Sequence, residues 1–221
     1  YSLFIVGATS LVGAFNNWRK GLVSIKTALL FGVTSITTVF VTRKFIMPVI
    51  PDILFHFYNF EITKSAAIMV LFAVLMLMAS MAMIRGRKEP IFTNAITSLV
   101  NTTKLLLYGM LVGLGAGFLG AGGGFLIIPA LVLFLNMPMK KAVGTSLLII
   151  SLNSLIGFTG DFGHIEIDWI FLGIITAIAI TGIFIGGAIA KKIEGPKLKK
   201  WFGWFVLLMG IYIIIKELFF K

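Results

Sequence analysis

The chain has 221 residues, 59% of them hydrophobic and 12% charged, with a mean hydropathy of +1.06. A water-soluble domain of this size cannot bury so much apolar surface, so the sequence reads as an all-α polytopic membrane protein. The net charge of +11 does not point to nucleic acid, because the lysines and arginines cluster between apolar runs, and the absence of cysteine removes disulfides, thiolate metal sites and thiol catalysis.

Apolar runs are read at Ser2–Phe15 and Ile25–Val41, followed by Phe45–Phe60, where Pro48, Pro51, His56 and Tyr58 suit an interfacial segment. Ser65–Ile84 is the next span. Residues 85–103 form a polar connection, and Thr93–Thr103 reads as a surface helix. Further runs follow at Leu105–Leu135, Ala142–Phe158, Trp169–Ala190 and Trp201–Ile215, all helical in pattern, with no alternating strand signal competing.

The run Leu105–Leu135 contains Gly113-Leu-Gly-Ala-Gly-Phe-Leu-Gly-Ala-Gly-Gly-Gly-Phe-Leu-Ile-Ile-Pro129, which predicts a broken helix. At membrane depth an interrupted helix is tolerated beside protein or a watery cavity, so the glycine cluster marks a candidate binding site. Charge parity sets its shape. Arg85, Arg87 and Lys88, then Lys140 and Lys141, then Lys191, Lys192, Lys197, Lys199 and Lys200 all lie inside only if the run enters and returns. Its 31 residues fit two half-spans rather than two full crossings. The acidic loop at residues 159–168 then lies outside, whereas Arg43 and Lys44 also fall outside, against the trend.

Ser2–Gly13 matches Ser146–Gly157 at an offset of 144, with six of twelve positions identical, including two serines and a glycine. The loop after the first copy carries Arg19 and Lys20, while the loop after the second is acidic, as inverted repeats require. The chain therefore divides into residues 1–84, the remainder of a first repeat without its glycine-rich hairpin, the cytoplasmic connection 85–103, and a second repeat at 104–221. The natural protein is expected to carry about 40 further residues upstream of Tyr1 with a second glycine cluster, without which the chain is expected to be inactive.

Candidate anion ligands follow from this pattern. Gly120, Gly122, Gly123 and Gly124 let backbone N–H groups approach an anion at the start of a half-helix. Thr145, Ser146, Asn153 and Ser154 are the polar residues of the next span, and Ser2, Thr9 and Ser10 match three of them in the first copy. Close helix packing is the other reading for the glycines, and bonding to their own helix is the other reading for the hydroxyls. Gly182, Gly186 and Gly187 read as helix packing. Asp161 and His164 are proton-coupling candidates in the outer loop, although solvated loop residues are the commoner case. Asp168 suits the cap of the helix opening at Trp169.

The run 115–131, Ala142-Val-Gly-Thr-Ser-Leu147 and Ile167-Asp-Trp169 together resemble the TauE/SafE family of membrane transporters. The resemblance implies export of sulfite or other small sulfur-containing anions, such as sulfoacetate, across the bacterial inner membrane. The expected architecture is an inverted-repeat helical bundle with a glycine-rich re-entrant hairpin, working by alternating access. The expected partners are a small anion and the bilayer. Neither a cofactor nor a metal is implied, and self-association stays open. An intramembrane enzyme using Ser146 and a passive channel or assembly subunit are the competing classes; the first lacks Gly-x-Ser-x-Gly spacing, and both histidines lie outside the spans.

Overall fold

The computed structural model describes residues 1–51, 53–57, 60–85, 99–119, 124–161 and 168–219. Among these are eight α-helices: α1 (Ser2–Arg19), α2 (Ile25–Val41), α3 (Lys64–Ile84), α4 (Leu99–Leu119), α5 (Gly124–Leu133), α6 (Met139–Asp161), α7 (Trp169–Lys192) and α8 (Gly195–Phe219). Five stretches are long and apolar enough to cross a bilayer: Ile25–Ile46, Lys64–Ile84, Met139–Phe158, Trp169–Lys192 and Gly195–Glu217. The protein is a multi-pass membrane protein.

One local departure from an all-helical reading lies between α2 and α3. After a π-turn at Thr42–Ile46, strands β1 (Ile53–Phe57) and β2 (Phe60–Thr63) form a two-stranded antiparallel hairpin. Pro48 and Pro51 cannot supply the backbone donors a continuing helix needs, and Ile53-Leu-Phe-His-Phe57 is a β-favouring sequence. Lys64, at the start of α3, ties this region down by donating to the carbonyls of Met47 and Ile50. Of the expected surface helix Thr93–Thr103, residues 93–98 lie outside the described residues, and the remainder forms the start of α4.

The helices carrying the sequence repeat, α1 and α6, cross antiparallel. A β-carbon on Gly13 would lie 3.1 Å from Leu147, and one on Gly157 would lie 3.5 Å from Leu3. At the offset of 144 these two contacts are one contact with its partners exchanged, which places a pseudo-twofold axis near Ala8 and Leu152. The relation extends outward. α2 begins at Ile25 and α7 at Trp169, again 144 apart, and α2 packs on α6 as α7 packs on α1. α3 packs on α8. α1 thus runs opposite to its counterpart α6, as an inverted repeat requires.

The buried centre lies among α2, α3, α5 and α6, where Phe31, Met83, Leu131 and Ile149 are each fully buried. α4 enters this centre along α2, in parallel. β-carbons at Gly109, Gly113 and Gly117 would lie 3.1 Å from the Phe31 carbonyl, 2.7 Å from the Ser35 carbonyl and 2.6 Å from Thr42 Cβ. Glycine at four-residue spacing is what lets the two backbones approach so closely.

Candidate functional site

α4 ends at Leu119 and α5 begins at Gly124, so helix is interrupted where the glycine cluster predicts. The chain also doubles back: Tyr108 and Phe134 stack at 4.8 Å, and a β-carbon at Gly115 would meet Leu126 at 3.4 Å. Measured from that aromatic pair, each arm is about 15 Å long at 1.5 Å per residue, roughly half the hydrocarbon thickness of a bilayer.

The start of α5 is held on two sides. A β-carbon on Gly124 would lie 3.1 Å from Ile150 of α6, and the Phe125 ring lies 5.7 and 6.0 Å from those of Phe202 and Phe205 on α8. The first four N–H groups of a helix have no acceptor within it, and they form its positive end. Pro129 lies inside α5, and its nitrogen cannot donate to the carbonyl of Phe125.

One helical turn beyond Ile150 stands Asn153, whose Oδ1 is buried with no hydrogen-bond partner among the described residues. A buried amide oxygen without a donor costs about 1–3 kcal/mol, so the Asn153 oxygen calls for a hydrogen-bond donor, such as water, at this place. The arrangement brings the backbone donors of a helix start and a side-chain amide to one region of α5 and α6.

The remaining sequence candidates separate. Ser10 and Ser154 are buried on the stripes of α1 and α6 that face each other across the axis. Ser2 and Ser146 stand at opposite ends of that crossing, so the two polar faces do not form one continuous lining. Ser146 donates to the Val143 carbonyl at 2.9 Å, and Thr9 donates to that of Ile5. Thr145 Oγ1 accepts the Ser24 N–H at 3.0 Å, which fastens the start of α2 to α6. Gly120, Gly122, Gly123 and His164 lie outside the described residues; Asp161 is the last residue of α6, and its side chain is likewise outside them.

Asp168 caps α7, its Oδ1 accepting from Ile170 and Phe171 at 3.1 and 3.0 Å, while its own N–H donates to the Tyr1 hydroxyl. Lys20, Lys140 and Lys191 share the opposite end of the bundle. The glycines assigned to packing on α7 differ from that expectation: β-carbons at Gly182, Gly186 and Gly187 would meet nothing within 4 Å among the described residues.

Two residues near the hairpin tip escaped sequence reasoning. Thr42 is fully buried against Gly117, and its Oγ1 lacks a partner among the described residues. Lys64 joins Phe118 in the wall of an apolar cavity of about 140 Å³, while its Nζ donates to the carbonyls of Met47 and Ile50. A threonine at a helix end and a lysine beyond a β-hairpin carry no local sign of such placement.

Comparison with known proteins adds the following. A family model described as "Sulfite exporter TauE/SafE" matches residues 1–213. A "Probable membrane transporter protein" of Xylella fastidiosa (strain 9a5c) is 35% identical over 150 residues, which make up 66% of this chain and 58% of that relative. "Probable membrane transporter protein MJ0441" of Methanocaldococcus jannaschii is 34% identical over 117 residues, 49% of this chain and 43% of its own length. "Probable membrane transporter protein YdhB" of Bacillus subtilis (strain 168) is 26% identical over 198 residues, 90% of this chain and 76% of its own. No solved structure matches the chain.

Proposed function

Because the chain belongs to the sulfite exporter TauE/SafE family, we propose that it functions as a secondary transporter for small anions of the sulfite or organosulfonate class. The observation that carries this reading is the start of α5, a half-span helix, beside Asn153 on one partner of an inverted helix crossing. Inverted repeats with discontinuous helices place a binding site between the repeats and expose it alternately to either side. α5 presents backbone donors to the anion, the Asn153 amide orients it, and the pivot of α1 against α6 changes which side the site faces. The lysine-rich end of the bundle faces the cytoplasm by the positive-inside rule, and export runs from that end across the inner membrane. Asp161 and His164 are the groups proposed to couple a proton to release.

Proteoliposomes of the full-length protein loaded with radiolabelled sulfite are expected to lose it in a saturable manner that responds to a proton gradient. Flux that never saturates favours a channel. Gly123→Val is expected to abolish flux with expression intact; unchanged flux would falsify the glycine cradle. The enzyme reading is opposed by the Ser146 hydroxyl, which is committed to its own helix. Hydrolysis lost in Ser146→Ala, with no flux in the parent protein, would restore it.

A further inference from the structure

The lysine-rich end of the bundle holds a cavity of about 480 Å³ that takes no part in the proposed transport site. Lys20 just past the end of α1, Lys140 at the start of α6 and Lys191 at the end of α7 form its rim. Lys140 is fixed there: its Nζ donates to the Lys191 carbonyl at 3.3 Å, which uses one of its three donors. Among the described residues no aspartate or glutamate lines the cavity, and Glu194, three residues beyond Lys191, pairs instead with Lys197 at 3.2 Å. Three like charges around one opening repel one another unless an anion joins them.

Away from the rim the wall turns apolar. Ala179, Gly182 and Gly186 of α7 line it together with Val143 and Leu147 of α6. β-carbons at Gly182 and Gly186 would meet nothing within 4 Å among the described residues, so no side chain narrows the trough at these two positions. From Lys191 back to Ala179 the helix covers about 18 Å at 1.5 Å per residue, close to the hydrocarbon depth of one leaflet. A free anion would use the rim and leave the trough empty. A molecule that fills both has an anionic head and an apolar tail as long as a leaflet is deep, and basic pockets between membrane helices take such headgroups.

We propose that this cavity binds one anionic phospholipid, its phosphate among Lys20, Lys140 and Lys191 and one acyl chain along Gly186, Gly182 and Ala179 of α7. The lysines supply charge-assisted donors to the phosphate, and their stems continue the apolar wall upward to it. The site shares no residue with the start of α5 or with Asn153, so it stands or falls independently of the transported anion.

The test is native mass spectrometry of the purified protein in detergent, titrated with phosphatidylglycerol or with phosphatidylcholine carrying the same acyl chains. One phosphatidylglycerol is expected to bind at least tenfold more tightly than phosphatidylcholine. Lys140→Gln combined with Lys191→Gln should abolish that preference. Lys26→Gln combined with Lys200→Gln, at exposed lysines outside the cavity, should preserve it. Gly186→Leu has open space for its side chain and is expected to occupy the trough, weakening phosphatidylglycerol binding at least tenfold with the thermal midpoint unchanged. Equal losses from the two lysine pairs reduce the effect to general surface charge and overturn the proposal. Binding unchanged in Gly186→Leu overturns it as well, since the rim is then a site for a phosphate group alone, which displacement by inorganic phosphate identifies. A dimer that forms through this face and excludes the lipid is the third overturning result.

Discussion

The Tyr108 and Phe134 rings lie 15° from parallel with centroids 4.8 Å apart, joining the lower part of α4 to the residue just past α5. They close the open end of a hairpin whose glycine cluster sits at the other end. Removing either ring by Tyr108→Ala or Phe134→Ala is expected to cost about 1–2 kcal/mol. The double variant should cost less than the sum, leaving a coupling near 1 kcal/mol in a denaturant-based double-mutant cycle. Strict additivity would mean that the stack does not hold the arms together.

Gly113 and Gly115, two residues apart, face different neighbours and should respond differently. Gly113→Ala sets a methyl 2.7 Å from the Ser35 carbonyl oxygen, a backbone atom that cannot rotate aside, and is expected to cost about 1–3 kcal/mol. Gly115→Ala brings a methyl to 3.4 Å from a Leu126 side chain and should leave the melting temperature in detergent nearly unchanged or raised. Equal responses would rule out α4 packing on α2 through its four-residue stripe.

Thr145 tests whether a hydroxyl in the expected ligand set serves the fold. Its Oγ1 accepts the Ser24 N–H at 3.0 Å. Thr145→Val keeps the shape but strands that donor, at a cost of about 1–3 kcal/mol. Thr145→Ser should recover most of the loss. Thermal unfolding of the three proteins in one detergent gives the comparison, and a serine variant as unstable as the valine variant would count against the bond.

Asn153→Leu separates stability from function. Replacing a half-buried amide whose oxygen has no donor by an apolar side chain of similar volume is expected to leave stability unchanged or to increase it by about 1 kcal/mol. Sulfite flux should fall at least tenfold. A variant that loses stability and flux in proportion would make Asn153 a structural residue rather than a ligand.

Much of this architecture is legible in the chain because membrane proteins expose their irregularities. α4 ends at Leu119, beside the glycine cluster, and α5 starts at Gly124. The repeat is visible because Ser10 and Gly13 recur as Ser154 and Gly157, residues that apolar composition does not favour by chance. The cap at Asp168 is a purely local bond, so sequence alone locates it.

What escapes depends on contacts far along the chain. Gly109, Gly113 and Gly117 belong to a stripe that becomes apparent only when α2 lies against it; read in line, two of them merge into the glycine cluster. Thr145 looks like a ligand until the start of α2, 121 residues away, is placed beside it. The strands Ile53–Phe57 and Phe60–Thr63 are too short for alternation to stand out from an aromatic interfacial run.

The exchange of partners between Gly13–Leu147 and Gly157–Leu3 bears on how the molecule stores directionality. Tilting α1 over α6 one way, or by the same angle the other way, yields one packing arrangement with the labels swapped. A crossing built like this behaves as a balance with equal arms, and it cannot by itself prefer either tilt. Any preference resides where the two copies differ, as at Gly7 opposite the repeat position of Ser151. A β-carbon at Gly7 would lie 3.0 Å from the Leu155 side chain, so at this place the two copies cannot be interchanged without moving α1 against α6.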